Sequence, residues 1–264
     1  MSTENKTKAG LPLILTVLAG IAGIGLGLTA LAAPVGVWLQ AWDFRQGFSI
    51  LRSAQPLVAW ITIGCALATV IVFGLGRRQS DSNAGRNTAI CLAATVVAAI
   101  AWYVPQSYLP GAGRTIPPIH DISTDVANPP QFVDVLPLRG SNSNPTVYGT
   151  GNPNYTPEQH AELQLEAYPD VSTQTFSEPV DVVFERALAA VDALGWELVS
   201  QVPDEGRIEA TDTTFWFRFK DDVVIRIQET EDGTTELDAR STSRVGLSDV
   251  GKNAERLRAF FAEL

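Results

Sequence analysis

Val223-Val224-Ile225-Arg226-Ile227-Gln228-Glu229, then Thr230-Glu231-Asp232-Gly233-Thr234, then Thr235-Glu236-Leu237-Asp238-Ala239-Arg240 read as two alternating runs about a turn. Side chains on a strand point to opposite faces in turn. Val223, Ile225, Ile227, Leu237 and Ala239 therefore make an apolar face, and Val224, Arg226, Gln228, Glu236, Asp238 and Arg240 the opposite one. Parity sets the register. A two-residue Asp232-Gly233 loop would place Asp238 against Ile227. A three-residue loop, Glu231–Gly233, places Leu237 against Ile227 and Asp238 against Arg226, with Gly233 at the left-handed bulge position. The second register is expected, because a slip of one residue moves every side chain to the wrong face.

Working outward, further runs read as strands. Trp196, Leu198 and Val202 lie on one face, and Ile208 and Ala210 follow the turn Pro203-Asp204-Glu205-Gly206. Phe215, Phe217 and Phe219 alternate with Trp216 and Arg218. A helical stripe runs through Val180, Val183, Phe184, Ala187, Leu188, Val191 and Leu194, capped by Ser177 or Glu178, opened by Pro179 and ended by Gly195. A closing helix carries Val250, Ala254, Leu257, Phe261 and Leu264. Thr156-Pro157-Glu158-Gln159 is a capping box with proline at the first helical position, predicting a short helix at Pro157–Ala167. Short links between strands imply an antiparallel sheet, and the helices must bury their stripes on its apolar face. The fold expected for residues 156–264 is α+β, a sheet with helices on one face, helix-grip-like.

Upstream, residues 111–155 are rich in Pro, Gly and Asn and read as a linker and extended segment. Residues 1–110 differ in kind. They hold 7 Lys/Arg and 3 Asp/Glu, against 12 and 26 in residues 111–264. The windows Ala9–Trp42, Ser53–Gly76 and Asn87–Gly113 hold no charge, and about 20 apolar residues cross a bilayer core. Helices are expected near 11–33, 57–76 and 88–109, the third running past Pro105 if it is to span. Lys6, Lys8, Arg77, Arg78 and Arg86 fall on one side, and Arg45, Arg52 and Arg114 on the other. Trp38, Trp42, Trp60, Trp102, Tyr103 and Tyr108 lie toward the second side, as an interfacial belt does. This predicts a three-span protein of a bacterial inner membrane, N-terminus cytoplasmic and acidic half periplasmic. Ala19, Gly23 and Gly27 permit close helix approach, within the chain or to a second copy. No span carries an ionisable residue at its middle, which speaks against a pump or channel.

Composition narrows the chemistry. An acidic exported half is unsuited to nucleic acid. Two cysteines and two histidines are too few for a disulfide framework or a His-rich metal centre, and no metal or cofactor is expected. Two segments concentrate reactive side chains. In Pro117-Pro118-Ile119-His120-Asp121-Ile122-Ser123-Thr124-Asp125, the residues His120, Asp121 and Asp125 are candidate acid–base groups, or parts of a hydrogen-bonded turn pinning the linker. In the second segment, Arg240, Ser241, Ser243, Arg244, Ser248, Asp249 and Asn253 could hold an anion where a strand turns into a helix N-terminus, or could pair internally with nearby acids.

His-Asp-Ile-Ser-Thr-Asp at 120–125 with Pro129-Pro130-Gln131-Phe132, Leu194-Gly195-Trp196, and Arg-Ser-Thr-Ser-Arg-Val-Gly-Leu-Ser-Asp-Val-Gly-Lys-Asn at 240–253 resemble the signature stretches of the domain of unknown function 1499. The resemblance covers about residues 116–264. It implies an envelope or organelle-membrane setting and carries no established activity or catalytic residue. The expected role is an envelope binding or interaction module whose partners are the bilayer and an envelope protein or small ligand. A periplasm-facing hydrolase or metal-dependent enzyme acting on an anionic substrate, and a transporter accessory subunit, are the alternatives.

Overall fold

The computed structural model describes residues 2–79, 82–107 and 116–264. The chain divides into two compact units, residues 1–109 and 110–264. In the first, α1 (Ser2–Trp38), α2 (Phe44–Gln79) and α3 (Ala84–Ser107) are each long and apolar enough to cross a membrane, which supports a membrane protein. All three begin earlier than hydropathy alone marks, because polar flanks continue the helix. α3 runs through Pro105. The expected end at Leu109, with Tyr108, Arg114 and residues 111–115 of the linker, lies outside the described residues.

Small residues set the bundle's spacing. A Cβ on Gly23 would lie 2.5 Å from the Ala94 carbonyl oxygen, and one on Gly27 would lie 2.3 Å from Val97 Cγ1, so the α1 stripe packs against α3 of its own chain. Cys65 and Cys91 are free and buried in the same contact layer as Ala19, Ala68 and Ala94. Thr69 and Thr95 hydroxyls meet at 3.1 Å between α2 and α3.

The second unit is α+β. Its antiparallel sheet comprises β1 (Asp121–Ser123), β2 (Gln174–Phe176), β3 (Glu197–Val202), β4 (Arg207–Thr213), β5 (Lys220–Glu229) and β6 (Thr235–Ser243). The order is β1-β6-β5-β4-β3, with β2 also on β6. Ile227 pairs with Leu237 and Arg226 with Asp238, as parity required, and Gly233 sits at φ +82°. Helices α5 (Val180–Ala193) and α6 (Lys252–Glu263) cover the apolar face. There Val183, Phe184, Ala187, Val191, Ala254, Leu257 and Phe260 close over Ile208, Val223, Ile225, Ile227 and Leu237.

Several expectations are corrected. Phe215–Phe219 is not a strand but the loop between β4 and β5. Thr214 N donates to Phe219 O at 2.8 Å and Arg218 turns left-handed at φ +55°, so the alternation there marks a tip rather than a pleat. A bulge between Leu198 and Ser200 shifts the parity of β3, so Leu198 pairs with Ala210 and Val202 with Arg207 on opposite faces. α5 has Pro179 itself as N-cap, with no side-chain cap. The α6 stripe runs through Phe260 rather than Val250, which lies before the helix at φ +56°.

α4 (Pro157–Ala167) forms where its capping box predicts, with both reciprocal bonds between Thr156 and Gln159 present. It seals the outer edge of β1. Gln164 accepts from Ser123 N at 3.0 Å and donates to Ser123 O at 2.7 Å, while His160 Nε2 donates to Asp121 O at 2.7 Å. The side chains stand in for a neighbouring strand. Thr156→Ala should cost about 0.5–2 kcal/mol. Hydrogen exchange checks this: the Ser123 amide should exchange faster in the variant than in the parent, with α5 unchanged.

Candidate functional site

The Pro/Gly/Asn-rich stretch is short of regular structure, yet it folds onto the second face of the sheet. Alternation decides what meets there. Glu209, Thr211, Asp222, Arg226, Asp238, Arg240, Thr242 and Arg244 point away from the helices, and the loop from Thr124 to Tyr155 supplies partners to Glu209, Asp222, Arg226, Asp238, Arg240 and Arg244.

Arg240 is the centre of this layer and is fully buried. Its Nε donates to Asp121 Oδ1 at 2.9 Å and its Nη2 to Asp121 Oδ2 at 2.7 Å, a bidentate pair. Nη1 donates to Pro130 O at 3.1 Å and Nη2 also to Thr146 O at 2.7 Å. The guanidinium carbon lies 5.1 Å from the Phe132 ring centroid and 5.6 Å from that of Tyr148. Tyr148 in turn donates to Gln164 Oε1 at 2.8 Å, and burial raises its hydroxyl pKa.

Four carboxylates extend the network. Asp222 accepts from Arg139 Nη1, from Arg244 Nη2 at 2.8 Å and from Thr211 at 2.8 Å. Burial lowers the Arg139 pKa, against the opposing pull of Asp222. Glu209 gathers the amides of Val133, Asp134 and Val135 at 2.9, 3.2 and 2.8 Å, with Arg207 beside it. Asp238 accepts from Thr124 and Thr173, at 2.8 and 2.7 Å, and from Arg226 at 2.7 Å. Asp125 shares Arg226 at 3.1 Å and also takes the Ala127 and Asn128 amides, forming the turn that joins loop to sheet.

The remaining anion-site candidates lie on the other face. Ser241 donates to Asn253 Oδ1 at 2.7 Å, and Asn253 Nδ2 donates to His120 O at 2.8 Å and Ser243 Oγ at 3.0 Å. Asp249 accepts from Gly251 N at 2.7 Å and Asn253 N at 2.9 Å, and Ser248 from Val250 N at 3.2 Å. Alternation along β6 and into Arg244 just after it thus separates Ser241 and Ser243 from Arg240 and Arg244. Asp121 and Arg240 are brought together, and Arg244 is carried to Asp222 instead.

Sequence reading missed the loop's share of this layer. Arg139, Phe132, Tyr148 and Gln164 lie in or beyond a stretch with no periodicity. Asp222 and Glu209 were detectable in principle, since each falls on the polar parity of its strand.

His120 is fully buried beside His160 and Asp121. Neither ring nitrogen meets a partner in hydrogen-bond geometry among the described residues, although the Leu247 backbone approaches the ring. Gly151, at φ +92°, closes over it, and a Cβ there would sit 3.2 Å from His120 Cε1. Burial first, and then the neighbouring His160 and Arg139, lower the His120 pKa against the pull of Asp121. The unfolded chain takes up a proton near pH 6.5 while the folded ring resists it, so stability should fall as pH drops below about 6.5. Asp249 works the other way, because burial pushes its carboxyl up to about 6 and protonation there favours the fold. Thermal unfolding between pH 7.5 and 5.5 checks the sign, and His120→Gln should flatten the acid-side loss relative to the parent.

No group of three or more His, Cys, Asp or Glu placed to hold a metal occurs among the described residues. Residues 121–264 match the family model described as "Protein of unknown function (DUF1499)". The chain belongs to this family. A search of curated proteins finds no match. The DUF1499 match begins at Asp121 and so takes in both halves of the buried Asp121–Arg240 pair.

Proposed function

We propose that this membrane protein is a non-catalytic binding or interaction module of the cell envelope, with its DUF1499 domain on the periplasmic side of a bacterial inner membrane. The observation that carries the binding reading is a groove at the end of the sheet formed by the Pro203–Glu205 and Thr230–Thr234 turns. It has a volume of about 540 Å³, with Val180 and Phe184 among its lining and the exposed carboxylates of Asp181, Glu185, Asp204 and Glu229 around it. A mixed polar and apolar lining that carries four carboxylates suits a cationic segment of a partner protein or a small cationic ligand. His120, Asp121, Asp125, Arg240 and Arg244 line neither this groove nor the smaller hollow at Gly149–Pro157. Asp121 and Arg240 face each other, Asp125 faces Arg226 and Arg244 faces Asp222, which favours a structural role for these charges over catalysis.

The cation bias, with Lys6, Lys8, Arg77, Arg78 and Arg86 on one side of the spans, supports a cytoplasmic N-terminus. A reporter pair fused after Leu264, one active only outside the cytoplasm and one only inside, tests the topology. Activity confined to the inside reporter overturns the periplasmic placement. Native crosslinking followed by partner identification tests the module reading, and Asp181→Lys with Glu185→Lys should abolish the crosslinked species. A crosslinked partner retained by that variant excludes the groove.

A further inference from the structure

The two ends of the sheet differ in kind. Asp121, Thr242, Asp222 and Thr211 form one row across β1, β6, β5 and β4. Beyond that row lie the incoming segment Ile116–His120, the loop Thr214–Phe219 between β4 and β5, and the segment Arg244–Gly251 between β6 and α6. Large apolar side chains are exposed here. Phe215 is 63% accessible, Trp216 39%, Leu247 49% and Val250 39%. Phe217, Arg218 and Phe219 complete the loop, and Lys220 follows, 3.5 Å from Glu197. The opposite end, at the turns Pro203–Glu205 and Thr230–Thr234 and the start of α5, carries exposed Asp181, Asp204, Glu205, Glu231 and Asp232.

We propose that the aromatic end of this domain docks on the bilayer that holds the chain's own helices, with the Phe215-Trp216-Phe217-Arg218-Phe219 tip entering the headgroup region. The inference rests on the membrane reading of residues 1–107. Aromatic rings mixed with cationic side chains are the composition that partitions into the membrane interface. Covalent continuity favours the same surface. Eight residues separate Ser107 from Ile116, and at full extension they reach about 30 Å. The segment they lead into enters the domain at the end that carries the tip. A short tether holds the tip at high effective concentration beside lipid, so a weak insertion is sufficient. Wherever the facing lipid is anionic, like-charge repulsion of the acidic end favours the same orientation. The tip is also preformed: Thr214 N donates to Phe219 O at 2.8 Å, Arg218 N to Thr214 O at 3.1 Å and Phe219 N to Thr214 Oγ1 at 2.9 Å. Little conformational freedom is lost on insertion. Docked this way, the domain presents its acidic groove away from the bilayer.

The test uses the full chain carrying Cys65→Ala and Cys91→Ala, reconstituted in phosphatidylcholine–phosphatidylglycerol vesicles. A nitroxide is placed in turn at Phe215→Cys, Asp232→Cys and Ile21→Cys, with an aqueous nickel chelate on both sides of the bilayer. The label at 215 should collide with the chelate several-fold less than the label at 232, and with dissolved oxygen more. Equal chelate access at 215 and 232, with the label at 21 immersed in lipid, overturns the docking and leaves the membrane reading intact. Shielding of 215 from both reagents overturns it in favour of a protein cover. Aqueous access at 21 overturns both readings. In a chain that keeps its cysteines, a photoreactive benzoylphenylalanine at position 215 should crosslink to lipid; crosslinking to protein alone overturns the proposal.

Discussion

Arg240→Met should lower the unfolding free energy of the DUF1499 domain by about 3–5 kcal/mol, because it leaves the Asp121 carboxylate buried without a counter-charge. The side chains of the pair are 0% and 1% exposed, so solvent screening cannot soften the loss. Methionine keeps some contact with Phe132 and Tyr148 but leaves the Pro130 and Thr146 carbonyls without their donor. Asp121→Asn should be costly as well, since the guanidinium then lacks its anion. The double replacement Asp121→Leu with Arg240→Met removes both charges and should cost less than the sum of the two single losses, the signature of coupling in a mutant cycle. Denaturant unfolding of the detergent-solubilised full chain, followed by near-ultraviolet dichroism, measures all three. A loss below about 1 kcal/mol for Arg240→Met would put the pair in the class of solvated surface bridges and remove it as the anchor of the loop.

The second large effect is expected at Asp222. One carboxylate there faces guanidinium groups from two segments, Arg139 of the loop and Arg244 after β6. The carboxylate is fully buried and the arginine side chains are 5% and 12% exposed. Asp222→Asn leaves two neighbouring cations with a neutral amide, and the expected cost is again about 3–5 kcal/mol. The consequence should be local before it is global. Arg139 also donates to Asn144 O at 2.9 Å, and Arg244 to Leu138 O at 2.8 Å. Amide exchange should therefore accelerate over residues 136–144 while α5, on the opposite face, keeps its protection. Equal acceleration in both places would mean that the loop has no separate stability and that the sheet unfolds as one unit.

These expectations turn on the loop at 124–155, the part least legible beforehand. Strand and helix periodicities identify a face because a repeated geometry forces repeated burial. The loop has no such repeat. Its partners are chosen by proximity in space, across sequence separations such as the 119 residues between Asp121 and Arg240. The aromatic run Phe215–Phe219 failed for a related reason. Alternation is necessary for a pleated strand but not sufficient, and the Thr214 hydrogen bonds close those residues into a tip. The hairpin register and the α4 capping box were legible, because each is settled within a few residues by parity or by reciprocal bonds.

What the amino-acid order determined alone is therefore local or compositional. It determined three helices long and apolar enough for a bilayer, an antiparallel sheet with helices on its apolar face, the register about Gly233 and the common parity of Arg240 and Arg244. Only the tertiary structure decided that the proline-rich stretch covers the other face and that Arg240 closes on Asp121 rather than on an external anion. It also decided that the aromatic tip and the chain's point of entry lie at one end of the sheet. The reason is physical. Hydrophobic periodicity reports which side of an element avoids water, whereas the pairing of buried charges depends on which distant segments arrive at the same place.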